Sequence, residues 1–252
     1  MSVQAPPRVL IDACLLVKGN VSNILFDLAQ SGLIRLHWTP EIGAEFLKNW
    51  PKVQLQRKRL DPEADAAEYA LAKDKFEAKA KRRLKKFKLM QPEWEIPSWN
   101  YQTASAKRPP KRFGIQKEGE KQYGGVHRGD YHVALASAVL ADDFPEDEIW
   151  LATENITHLP PKSLHKFRVW CIDQGLLLEE LLRDYPQSVE TSLRKTMAES
   201  QKPKLTEQAM VDILADENGL CSETASTHMQ QSWGCQPAPN VTTTAKPTGS
   251  TP

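Results

Sequence analysis

Twice in its first fifty residues the chain passes from a buried-strand pattern to a helix pattern, and that order constrains the fold most. Arg8-Val9-Leu10-Ile11-Asp12 is a short apolar run that follows two prolines and ends on an acid, so Val9–Asp12 is predicted as a buried strand. Within Ser22–Ser31, Ile24, Leu25 and Leu28 fall at helical spacing, and Gly32 follows as a stop signal. Leu33, Ile34, Leu36 and Trp38 predict a second strand. Thr39-Pro40 then supplies a helix start, with Thr as N-cap and Pro at the first helical position. That helix is expected to end near Trp50-Pro51, because an internal proline removes a backbone donor. Strand, helix, strand, helix implies an α/β fold with a parallel sheet.

Farther along, helices are predicted over 61–90. Phe76, Ala80, Leu84 and Phe87 form an apolar stripe there, on a segment that is otherwise basic. Prolines, glycines and the cluster Lys107-Arg108-Pro109-Pro110-Lys111-Arg112 make 91–129 read as an irregular loop. A helix at Asp130–Ala141, strands at Glu148–Thr153 and Phe167–Ile172, and a helix at Gln174–Tyr185 complete one domain over 1–186. Residues 187–221 are expected as a helical extension, with a helix at Leu205–Leu214. Ser, Thr, Pro and Gln dominate 222–252, which is expected to be a disordered tail.

A net charge of +1 hides an uneven distribution. Residues 52–121 hold nineteen basic against ten acidic side chains, net +9, whereas 122–252 hold ten against eighteen, net −8. A basic insertion between neutral and acidic ends suggests a surface for a polyanion. No apolar run approaches bilayer length, and the first residues lack a signal-peptide core. The four cysteines form no Cys-x-x-Cys pair, which argues against a disulfide framework or a zinc ribbon. Cys14 and Cys171 are read as small buried thiols. Together these features predict a cytoplasmic protein with no membrane partner.

Three carboxylates carry the chemistry. Asp12, Glu45 and Asp130 each sit at or near the edge of an apolar element, where a side chain can enter a cleft. Gathered acids repel one another unless a cation holds them, and hard divalent cations choose oxygen ligands. The expected activity is Mg²⁺- or Mn²⁺-dependent hydrolysis of phosphodiesters, with Asp12, Glu45 and Asp130 as the metal-binding set. Asp12 and Asp130 would bind directly, and Glu45 through water or as general base. Asn155 is expected to orient a water, with Glu154 as the substitute acid if the loop turns the other way. Plainer roles stay open: Asp12 and Asp130 as helix caps, Glu45 as a surface acid, His132 as a packing residue.

These motifs resemble the PIN-domain ribonucleases, especially the VapC-type toxins of toxin–antitoxin pairs. Val9-Leu10-Ile11-Asp12-Ala13 is similar to the family's first strand and first acid. The stretch from Thr39-Pro40-Glu41-Ile42 to Glu45-Phe46-Leu47 resembles the segment with its second acid. The stretch from Asp130 through His132-Val133-Ala134 resembles its third, and Ile149 to Asn155 the strand and loop of its fourth. The resemblance covers about 8–50 and 125–185. It implies a three-layer α/β/α sandwich around a parallel sheet, a divalent metal, and endonucleolytic cleavage of RNA. An acidic protein antitoxin is the implied partner, and a homodimer is left open. Asn155 and His158 depart from the family pattern, which places Asp at both points.

Substrate contact is expected from Arg82, Arg83, Lys85 and Lys86, with Arg108 and Arg112 extending the path along the phosphates. Trp94, Trp99 and Tyr101 are candidates for stacking on unpaired bases. A haloacid-dehalogenase-like phosphatase is set aside, because Cys14 stands where its second acid belongs. Two rivals remain: a non-catalytic RNA-binding module on a degraded PIN scaffold, and a partner-binding regulator.

Overall fold

The computed structural model describes residues 5–63, 66–115, 125–200, 204–216 and 219–236. The N-terminal half runs β1 (Arg8–Ile11), α1 (Ala13–Val17), α2 (Gly19–Gln30), β2 (Arg35–His37), α3 (Pro40–Lys58), α4 (Ala66–Met90) and α5 (Tyr101–Lys107). There follow α6 (Tyr131–Asp143), β3 (Ile149–Ala152), α7 (Pro161–His165), β4 (Val169–Ile172), α8 (Gln174–Asp184), α9 (Pro186–Glu199), α10 (Glu207–Ala215) and α11 (Glu223–Trp233). The fold is α/β with a four-stranded, all-parallel sheet in the order β2-β1-β3-β4.

That strand order positions the site. From β1 the chain crosses to β2 on one side, while β3 and β4 build out on the other. Ligands of open parallel sheets bind beyond the carboxyl ends of the strands, where the order reverses direction. Here that point lies between β1 and β3, with Ile11 paired to Ala152. The residues just after them, Asp12 and Thr153, therefore stand at its mouth. Every residue of β1 and β3 is buried, as expected for strands covered on both faces.

The Thr39 cap forms as the sequence implies: its hydroxyl accepts from the Ile42 N–H at 3.3 Å, with Pro40 at the first helical position. The predicted end at Pro51 does not occur, and α3 runs on to Lys58. A proline inside a helix costs about 3 kcal/mol through its missing N–H and its ring clash. Tertiary burial outweighs that here. Pro51 is itself buried, and Leu55 beyond it packs with Ala72 and Phe76 of α4. Trp50 meets Phe76 edge-on at 6.0 Å.

Within the basic insertion the expected stripe is real: Phe76, Ala80 and Phe87 are buried and Leu84 packs against the core. The segment 91–129 is less irregular than predicted, since it contains α5, a 3₁₀ turn at Pro110–Phe113 and the start of another at Arg128–Asp130. Trp94 is a core residue stacked on Trp38 at 4.8 Å, and the half-buried Trp99 donates its indole N–H to Glu41 at 3.0 Å. Tyr101 keeps an exposed face. Cys14 and Cys171 are half-buried, more open than the sequence suggested. No helix among the described residues is long and apolar enough to cross a membrane.

The C-terminal region differs most from expectation. Residues 223–233 form α11, not a disordered tail. Ser222 caps that helix, its side chain accepting from the Ala225 N–H, and Met229 and Ala225 are fully buried. Gly175 allows the Leu220 and Cys221 carbonyls to close on α8, since a Cβ there would lie 2.6 Å from both oxygens. The expected disorder of 237–252 lies outside the described residues, as do 116–124 of the basic loop. Because Met229 is fully buried, Met229→Ala should destabilise the protein by about 2–5 kcal/mol in urea unfolding. A tail that contributed nothing to the core would leave the midpoint unmoved.

Candidate active site

The three predicted carboxylates and Asn155 line one open cleft of roughly 500 Å³. Asp12 enters it from the end of β1, Asp130 from the start of α6, and Asn155 from the loop after β3. Glu45 comes from α3, and it does not come alone. Glu45, Asn49, Val53 and Arg57 all line the cleft, at successive steps of four that fall on one helical face. The last two lie beyond Pro51, so a helix ending at the proline would have hidden them. Ala13, Cys14, Val17 and Lys18 complete the wall.

Asp12 is held, not merely present. Its Oδ2 accepts from the Thr153 hydroxyl at 2.6 Å, from the Cys14 thiol at 3.2 Å and from the Asn155 amide at 3.4 Å. Burial, then the neighbouring Asp12 charge, pushes the Cys14 pKa well up, so the thiol keeps the proton it donates. All three bonds fall on one oxygen; among the described residues none reaches Oδ1. Asp12 precedes α1 and Asp130 precedes α6, yet neither side chain caps its helix. The plain capping role therefore fails for both, and each carboxylate remains available to the cleft.

Asp130 is surrounded by imidazoles. His158 Nδ1 lies 3.2 Å and His127 Nδ1 3.5 Å from its Oδ2. Burial first, and then the Asp12 charge, raises the Asp130 pKa, while the three nearby histidines oppose the shift. The Asp12 charge thus acts against ionisation of Asp130 across the cleft.

His132 is a hydrogen-bonded residue packed at the start of α6, as the sequence suggested, and it also lies against Glu45. Its Nδ1 lies 3.1 Å from the Gly129 carbonyl, which fixes the proton on that nitrogen, and Nε2 lies 3.5 Å from Glu45 Oε2. Burial lowers the His132 pKa, but the nearby Glu45 carboxylate outweighs it and the net shift is upward. His132 on α6 thus faces Glu45 on α3 without a hydrogen bond between them, since Nε2 has no hydrogen-bond partner among the described residues. A histidine two positions after the acid, on a helix otherwise apolar, was the only signal of this in the sequence.

Asn155 and Glu154, the two alternatives for the fourth position, differ in their contacts. Glu154 is engaged by Lys18 and by the Gln174 amide, the latter at 2.6 Å. Asn155 faces the cleft and Asp12. Donor convergence is uneven, however. Among the described residues, the one trio of potential ligand atoms lying within 4.8 Å of one another is His127, Asp130 and His158, not the three acids.

The predicted phosphate path needs correction. Arg83 is turned inward, donating to Gly19 O at 3.0 Å, Ser22 Oγ at 2.7 Å and Asn23 Oδ1 at 2.8 Å. It ties α4 to the start of α2 and is not a free cation. Arg108 pairs with Asp142 and is largely buried. Arg82, Lys85, Lys86 and Arg112 are exposed. Arg57, unassigned by the sequence reading, lies on the cleft wall itself. In comparisons with protein-family models, curated proteins and solved structures, nothing matches this chain.

Proposed function

We propose that this chain is a divalent-metal-dependent endoribonuclease on a three-layer, PIN-like α/β/α sandwich, acting in the cytoplasm as the toxin of a toxin–antitoxin pair. One observation carries the reading: Asp12, Glu45, Asp130 and Asn155, scattered over 144 positions, line a single cleft at the reversal point of a parallel sheet.

The donor set is all oxygen apart from the Asn155 amide, which suits Mg²⁺ or Mn²⁺. Asp12 and Asp130 would hold the ion, and Glu45 would complete the set. A bound ion of this kind lowers the pKa of water and neutralises charge building on the phosphoryl oxygens. The chain's own residues do the rest. Thr153, Cys14 and Asn155 fix the Asp12 carboxylate. His132 lies beside Glu45, which accepts the proton of the attacking water. The Asn155 amide can hold that water but cannot take its proton. Arg57 and Asn49, on the same helical face as Glu45, meet the RNA backbone next to the scissile phosphate. An acidic antitoxin would compete for Arg57 and the exposed cations of α4.

The purified protein should cleave single-stranded RNA when Mg²⁺ or Mn²⁺ is supplied, and EDTA should stop it. Gel analysis of a mixed RNA panel under each metal decides the matter. A second reading, a non-catalytic RNA- or partner-binding module, draws support from the engagement of Glu154 and from the unconverged acid donors. RNA bound but left intact under both metals would replace the first reading with the second.

A further inference from the structure

At the rim of the cleft the structure offers a second donor set of different chemistry. We propose that His127, His158 and Asp130 form a site for a borderline divalent transition ion, Zn²⁺ foremost. This goes beyond the ribonuclease reading and does not need it, although Asp130 belongs to both.

Spacing is the first support. Two ligands at Zn²⁺ bond lengths of about 2.0–2.1 Å and a tetrahedral angle stand about 3.3 Å apart. Asp130 Oδ2 is 3.2 Å from His158 Nδ1 and 3.5 Å from His127 Nδ1. All three donor atoms lie within 4.8 Å of one another.

Proton accounting is the second. His127 Nδ1 accepts from the Gly129 N–H at 3.2 Å, so it has no proton there to give Asp130, and its one lone pair binds an ion by leaving Gly129. An unprotonated nitrogen and a carboxylate oxygen facing each other at 3.5 Å repel, and a cation between them turns repulsion into ligation. The competing Gly129 bond is long and weak for an N–H donor.

Rigidity is the third. The His127 N–H donates to the His158 carbonyl at 2.7 Å, and the Asp130 N–H to the His127 carbonyl at 3.0 Å. The imidazoles stack at 4.6 Å with an interplanar angle of 24°. The segment before α6 and the loop after β3 are thus pinned together, and a tilt of the stacked rings brings their in-plane lone pairs onto one ion. Both rings are about half exposed, which leaves a fourth position open to water, as in reactive zinc sites. Imidazole donors select Zn²⁺ and its neighbours over Mg²⁺.

The full chain is titrated with Zn²⁺ by calorimetry, and with Co²⁺ by visible absorption as a spectroscopic probe. Wild type should take up one equivalent, with the absorption of nitrogen–oxygen ligation and no thiolate-to-cobalt band. Even an outer-shell change typically costs about 10–100-fold in metal affinity, so His127→Ala and His158→Ala should each weaken Zn²⁺ binding by at least about tenfold. His158→Gln keeps the bulk of the side chain and should do the same if the alanine variant folds poorly. Asp12→Asn should leave Zn²⁺ affinity unchanged even where it abolishes Mg²⁺-dependent cleavage, which separates this site from the ribonuclease reading. No uptake by wild type, equal affinity in the histidine variants, or a thiolate band would overturn the proposal.

Discussion

Asp12→Asn is expected to lower RNA cleavage by at least about a hundredfold, and Asp130→Asn by a similar factor. A hundredfold corresponds to about 3 kcal/mol of transition-state stabilisation, a reasonable loss for one ligand of a catalytic ion. Neither change should unfold the chain. Asn at position 12 keeps the shape of Asp and an oxygen that can still accept from the Thr153 hydroxyl and the Cys14 thiol. At position 130 the substitution removes a charge that burial and Asp12 already oppose. Single-turnover cleavage, with circular dichroism as the check on folding, measures both. Undiminished cleavage in either variant removes that residue from the proposed site.

A second large effect is expected in binding. Arg57 on the cleft wall and Arg82, Lys85 and Lys86 on α4 are exposed cations. Each phosphate neutralised on a single strand contributes a slope of about −0.7 in log affinity against log salt, so replacing all four with Gln should flatten the slope by about 3. RNA affinity measured at several salt concentrations gives the slopes directly. Three of these residues sit away from the carboxylates, so most of the loss should appear as weaker binding and not as slower chemistry at saturating RNA. Arg83→Gln is the contrasting control. Its guanidinium is bonded to Gly19, Ser22 and Asn23, so it should reduce stability and leave the slope near wild type. Equal slopes in the fourfold variant and wild type would assign the basic face to plain solvation or to a protein partner.

Local pattern was enough for much of the scaffold. The apolar run ending in Asp12, the Thr39-Pro40 cap and the stripe on α4 are each decided by neighbours a few residues apart. Sequence reasoning reads such short-range physics well, and it placed the strands and the main helices near where they lie. The acids were legible for the same reason: a carboxylate at the edge of an apolar element stands out from its surroundings.

What the sequence could not decide rests on long-range packing. Pro51 carries a local penalty in any helix, and only the burial of Leu55 against α4 shows why the chain continues through it. With that continuation come Val53 and Arg57, two and six residues past the proline where the helix was expected to stop. Arg83 and Arg82 are neighbours of identical chemistry, yet one is bonded inward and the other faces solvent. Helical phase against α2 makes that difference, and composition carries no trace of it. A polar, Ser/Thr-rich segment at 222–236 lacks the apolar content to order itself alone. It is ordered because α10 and α8 supply the surface against which Met229 and Ala225 are buried. Likewise His127, His132 and His158 are unremarkable loop and helix residues one by one. Their pairing with Asp130 and Glu45 exists only because the β3 loop and the start of α6 close on the same cleft.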